Sequence, residues 1–172
     1  AWMMYHWVVS SLGCNATLVL YDGVPITKKN NNFDGSLLWK VADKEKLTHL
    51  GISPKYISTL EDINEKPINK YNINSLRWLL AAGSPVAPSQ FDWIYKNIKK
   101  DIGFASISGG SEVLACFMLG SPIHPVRRGE LTVKGLGMSV EIFNSKNKSV
   151  IGVPGDLAVS YTHLTLPTTG VV

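Results

Sequence analysis

The chain has 172 residues, enough for one domain with a sizeable core. A hydrophobic share of 45% and a charged share of 17% describe a globular chain rather than a disordered one. The net charge of +4 is too scattered to make a nucleic-acid surface, and no apolar run reaches the roughly 18 residues a membrane span needs.

Neither a nucleic acid nor a membrane is therefore an expected partner. The densest basic cluster, KNIKK at 96–100, falls at the end of an expected helix, where lysines favour the helix dipole. Cys14 and Cys116 have no metal spacing and read as lone thiols, small buried side chains of a reducing, cytoplasmic compartment. His6, His49, His124 and His163 form no His-x-x-x-His pair, so a metal held by them is not expected. The chain opens AWMMYHW, with neither an initiator methionine nor a signal-peptide pattern, which suggests an excised piece.

In chain order, WMMYHWVVSSLGCN reads as an apolar helix, and ATLVLYDG (16–23) as a short buried strand closed by Asp-Gly. VPITKKNNN reads as loop. FDGSLLWKVADKEK follows as an amphipathic helix despite Gly35, then LTHLG as a strand. Ser53-Pro54 starts the helix PKYISTLEDI, because a serine caps free amides and a proline fits the first turn. LRWLLAAG (76–83) is a continuous apolar run ending in glycine, the pattern of a strand buried on both faces. PSQFDWIYKNI is the next helix and GFASIS (103–108) the next strand.

Strand and helix thus alternate four times with short connections, which argues for the α/β class, a parallel sheet with flanking helices. After Pro125 the texture changes. GELTVKGLGMSVEIFNSKNKSVIGVPGDLAV has short alternating strands and glycine-rich turns, with NSKNK as a hairpin loop, and reads as the start of a β-rich, barrel-like subdomain. SYTHLTLPTTGVV fits neither half. The expected division is 1–124 for the α/β part, 125–159 for the β-rich part, and 160–172 as a non-native tail.

In open α/β sheets, ligands sit beyond the carboxyl ends of the strands. Two such ends carry unusual chemistry, AAGSPV (81–86) and SGGSE (108–112). Gly83 and the Gly109-Gly110 pair let backbone approach a flat or charged ligand. The Ser111 hydroxyl and neighbouring loop amides suit a phosphate oxygen, and Glu112 is a hard oxygen ligand suited to Mg²⁺. Either stretch alone is an ordinary turn, and Glu112 alone an ordinary solvated carboxylate. Together, about 25 residues apart across a strand-loop-helix-strand unit, they suggest a nucleotide-phosphate and Mg²⁺ corner.

WMM (2–4), ATLVLYDG, ISPKYI (52–57), SLRWLLAAGSPVAPSQFDWIY (75–95), ASISGGSE and RGELTVKGLGMSVEIF together resemble the acyl-adenylate-forming family of acyl-CoA synthetases. The SISGG variant and the GELTVKGLGM run are similar to the branch that activates acetoacetate. The resemblance covers roughly residues 1–159. It implies an AMP-forming acid–thiol ligase with ATP, Mg²⁺, CoA and acetoacetate as cofactor, metal and substrates.

By position, the resemblance assigns Gly83, Ser84 and Pro85 to the adenine. Ser108 falls where the family usually has an aromatic beside the base, and Gly109 and Gly110 belong to the same nucleotide-binding stretch. Ser111 matches the hydroxyl on the α-phosphate, and Glu112 the Mg²⁺ ligand. Trp2, Met3 and Met4 match one wall of the acyl pocket, Ala82 a second, and Gly109 its floor, where related acetyl-CoA synthetases carry a tryptophan. Plain core packing is the other reading of Trp2, Met3 and Met4. The family's phosphate loop with its lysine, its ribose aspartate and its catalytic lysine have no counterpart here. The resemblance therefore implies an internal piece of the large domain, inactive by itself. Two further readings stay open: a CoA ligase for another short or medium carboxylic acid, and an inert nucleotide-binding or structural remnant. A Rossmann dehydrogenase is disfavoured because SGGSE lacks the spaced third glycine.

Overall fold

A computed structural model describes residues 9–30, 32–110 and 115–161. Residues 9–13 are helical, and the turn closes at Cys14 and Asn15, as expected for this part of the apolar N-terminal stretch. Trp2, Met3 and Met4 lie outside the described residues. The chain divides into two compact units, residues 1–133 and 134–172.

The first unit is built on three parallel strands in the order β3 (His49–Ile52), β4 (Trp78–Ala81) and β5 (Gly103–Ser106). Before them come a hairpin, β1 (Thr27–Lys29) with β2 (Asn32–Asp34), and the helix α1 (Leu37–Lys44). The crossovers carry α2 (Pro54–Asp62) and α3 (Pro88–Asn97). Ser53 caps α2 as its sequence suggests: its hydroxyl accepts from the Tyr56 N–H at 3.1 Å, and Pro54 occupies the first turn.

The helices bury their apolar faces on one side of the sheet. Trp39 of α1, Ile57 and Leu60 of α2 and Ile94 of α3 are fully buried with Leu79 of β4 and Phe104 of β5. Each such side chain stabilises the fold by about 1.5–3 kcal/mol when taken out of water. Phe91 meets Phe104 edge to face, with centroids 4.8 Å apart. On the opposite side, Ala82, Ala105 and Ile107 pack with Trp78, Leu80, Cys116 and Leu119. Alternation along β4 follows from the period of two: Leu79 and Ala81 face the helices, while Trp78 and Leu80 face the thinner layer and stay half-buried. The strand is therefore fully buried on one face only, not on both.

Several local expectations are corrected. Residues 16–22 form no strand, and Leu20 is 80% exposed. A strand needs a ladder partner to satisfy its backbone, and no described segment pairs with this one. The alternation accordingly runs over three parallel strands rather than four. The expected loop 24–32 instead carries β1 and the first residue of β2, and β2 runs on to Asp34, so Phe33 and Asp34 are strand rather than the start of the helix. Gly35 does not enter α1: the Asp34 carboxylate accepts from the Ser36 N–H at 2.8 Å, and the helix begins at Leu37. The Ser36 hydroxyl, and after it the Ser36 N–H, hold the Asp34 carboxyl below its ordinary value. Of the KNIKK cluster, Lys96 lies in the last turn of α3 as expected, whereas Lys99 lies past its end and its Nζ donates to the carbonyls of Asn74 and Leu76 at 3.0 and 2.7 Å. Cys14 is exposed, not buried.

The run 103–108 also breaks. β5 stops at Ser106, and Ser108–Gly110 form β6, antiparallel to β7 (Ala115–Leu119). The two-residue β8 (Val133–Lys134) falls where the chain passes from one unit to the next.

The second unit contains β9 (Met138–Phe143) paired antiparallel with β10 (Asp156–Tyr161). NSKNK is the expected hairpin loop. The Asn144 N–H donates to the Lys148 carbonyl at 3.0 Å, Asn147 takes a positive φ, and Phe143 bridges to Ser149. Ser160 and Tyr161, the first residues of the expected tail, belong to β10, opposite Ser139 and Met138. Among the described residues, no helix is long and apolar enough to cross a membrane.

Candidate functional site

Two connections leave the carboxyl ends of neighbouring strands. After β4, Ala82 continues the ladder by donating to the Ile52 carbonyl at 3.2 Å, and Gly83 then turns the chain with φ +102°. A Cβ on Gly83 would meet nothing within 4 Å. Glycine is required there by the backbone angle, not by crowding. After β5, the Ile107 N–H donates to the Ala81 carbonyl at 2.9 Å and brings the two strand ends side by side.

Between these connections lies a cleft of about 480 Å³. One wall is Ala82, Gly83, Ser84 and Pro85, backed by Val86 and Phe91. The second is Ser106 through Gly109. Ala82, Gly83, Ser84, Pro85, Ser108 and Gly109 are thus brought together, as the two strand-end stretches led one to expect. Gly110 is in β6 but does not line the cleft. Ser111 and Glu112 lie outside the described residues.

The glycine pair works differently from the expected loop. Gly109 is in a strand, and a Cβ on it would sit 2.6 Å from the Ala115 carbonyl oxygen and 3.1 Å from the Cys116 Cα. Its partners step from Met118 opposite Ser108 to Cys116 opposite Gly109, so β7 carries one residue more than β6 there. The missing side chain lets β7 close onto β6 and leaves the Gly109 backbone exposed to the cleft.

A third wall was not foreseen in the sequence: Gly129, Glu130 and Leu131. Arg128 fixes it by an Nε–Asp92 Oδ2 contact of 2.9 Å onto α3. Gly129 has φ +78°, and a Cβ there would meet the Pro88 ring at 3.0 Å. Only an RGE triplet in a turn hints at this role. Its partners on α3 lie about 36 residues away in the chain.

The cleft is lined by hydroxyls, small residues and apolar surface, with Glu130 as its carboxylate. Glu130 stands 4.0 Å from the Arg127 guanidinium and is well exposed. Behind the second wall, burial pushes the Cys116 thiol up from its ordinary value. Such an arrangement suits a flat ligand lying between the 83–85 backbone and the 106–109 segment, with polar groups at its ends.

No family model matches the chain. The acetoacetyl-coenzyme A synthetase of Rhizobium meliloti (strain 1021) is 39% identical over 166 residues, covering 96% of this chain and 25% of that protein. A malonamoyl-CoA synthetase of Penicillium aethiopicum is 35% identical over 167 residues, covering 91% of this chain and 23% of that protein. The solved acetoacetyl-CoA synthetase from Streptomyces lividans superposes with a TM-score of 0.80 at 29% identity, over 93% of this chain and 24% of that one. The chain spans about a quarter of the length of these relatives. Over almost its whole length the chain is similar to a segment of the acetoacetyl-CoA synthetases, and its fold is that of the matching part of a solved acyl-CoA synthetase.

Proposed function

We propose that the protein carrying this chain ligates acetoacetate to CoA through an acyl-AMP intermediate, and that the cleft holds the adenylate. A carboxylate oxygen of the acid attacks the α-phosphorus of ATP and pyrophosphate leaves. The CoA thiolate then attacks the acyl carbonyl carbon, and AMP leaves with the bond electrons. The observation that carries the reading is the joining of 82–85 and 106–109 in one cleft at the carboxyl ends of β4 and β5.

Gly83, Ser84 and Pro85 would take one face of the adenine, with Ser108 beside it. Without a side chain at Gly83, the base can lie directly on the peptide. The Ser111 hydroxyl would donate to an α-phosphate oxygen. Ala82 and Gly109, with Trp2, Met3 and Met4, would enclose the acyl group. Catalysis in this arrangement is positioning and charge stabilisation at phosphorus.

The donor set fits Mg²⁺. Among the described residues, Ser84, Ser108 and Glu130 give the cleft oxygen donors, and no thiolate or imidazole lines it. Glu112 would hold the ion, which, when bound, neutralises charge on the phosphates.

One observation favours a broader acid class. The acyl groups named for the Rhizobium and Penicillium relatives both carry a second carbonyl at the third carbon. Short acids of this kind form the alternative substrate set, and the reducing cytoplasm remains the proposed location. The test is acid-dependent AMP formation by the full-length protein with acetoacetate, malonamate and acetate. Acetoacetate should be used most efficiently. Equal use of acetate, or no acid-dependent AMP, would contradict the reading.

A further inference from the structure

We propose that Gln90 is a positioning residue that fixes the 83–87 shelf against α2 and thereby sets nucleotide affinity. The proposal rests on the reading of that shelf as the adenine surface.

The shelf is secured at its start by Ala82 on the β3 ladder. Val86 is buried beneath it, and at its exit the Ala87 N–H donates to Gln90 Oε1 at 3.0 Å. The same side chain turns its amide nitrogen away from the shelf. Nε2 donates to the Pro54 carbonyl at 3.0 Å and to Ser58 Oγ at 3.1 Å, both on α2. Gln90 is 5% exposed although it sits in the first turn of its helix. All three contacts are made by one rigid amide plane, so moving the shelf exit relative to α2 would break at least one of them.

Helix capping alone would need only the acceptor. A carboxylate in the same place would cap at least as well, because an acidic residue near a helix N-terminus is favoured by the dipole. A carboxylate cannot donate to the Pro54 carbonyl. Gln90→Glu therefore separates capping from positioning. Gln90→Met keeps length and apolar bulk while removing all three hydrogen bonds.

The experiment is steady-state kinetics on the full-length ligase, varying ATP and the carboxylic acid separately, alongside direct ATP binding by titration. Gln90→Met should raise KM for ATP about tenfold, the scale of two or three net hydrogen bonds. Its kcat and its KM for the acid should stay within about twofold. Gln90→Glu should keep the Ala87 cap yet raise KM for ATP severalfold, measured at a temperature where the variant is folded. Wild-type KM for ATP in Gln90→Glu would leave only a cap and overturn the proposal, as would a fall in kcat with KM for ATP unmoved. If the wild type binds ATP and both variants match it, the Gln90 assignment falls alone. If the wild type binds no ATP, the shelf reading falls and takes Gln90 with it.

Discussion

Arg128 holds Asp92 across 36 residues of sequence, Nε to Oδ2 at 2.9 Å, and so ties the Gly129–Leu131 wall of the cleft to α3. The contact joins two sides of the site, yet both side chains are about 60% exposed, so water and salt screen it.

Breaking this pair should therefore cost little stability, within about 1 kcal/mol. Arg128→Ala and Asp92→Ala are expected to lower the melting temperature only slightly. Each should weaken ATP binding by a few-fold, and the double variant should be no worse than either single one. The swapped pair Asp92→Arg with Arg128→Asp should recover part of the affinity. Additive losses in the double variant would show that the two residues act separately.

Gly83 and Gly109 should respond differently to substitution, and to asparagine in particular, because they are glycine for different reasons. At Gly83 the demand is a φ of +102° with open space around it. Asparagine, which tolerates positive φ, should be accepted there better than valine. At Gly109 the demand is space against the β7 backbone. There asparagine and alanine should both destabilise, alanine by about 1–3 kcal/mol. Gly109→Trp would then push β6 from β7 rather than fill a pocket floor cleanly. Thermal unfolding of the four variants reads this directly, and equal tolerance at the two positions would contradict it.

The Cys116 thiol is half-buried and raised by that burial, so at a given pH it holds less thiolate than a free cysteine. Cys14 is exposed. Near pH 8, Cys14 should react quickly with a disulfide reagent and Cys116 slowly. The slow phase should quicken as pH rises past the ordinary cysteine range, since the raised group ionises later. A Cys116→Ser variant should lose the slow phase alone.

The parts of the fold set by local chemistry were legible in the residues. Ser53 and Pro54 start α2 because capping and a fixed φ act within one turn, and the segments at 49–52 and 78–81 become strands because one face of each is covered by helices. Residues 16–22 looked like a strand by composition, but strand formation depends on a partner that composition does not name. Of the site, the two strand-end stretches could be paired from their place after β4 and β5. The strand character of Ser108–Gly110 depends on β7, and the Gly129–Leu131 wall depends on Asp92 and Pro88, contacts far away in sequence.

The most direct test is photolabelling of the full-length protein with azido-ATP, followed by peptide mapping. Label should appear in the peptide containing Ser84 through Ala87, and unlabelled ATP should compete it away. Gln90→Met should lower that labelling at subsaturating probe. ATP-competed label confined to other peptides, with none at 83–87, would contradict the placement of the adenine on this shelf.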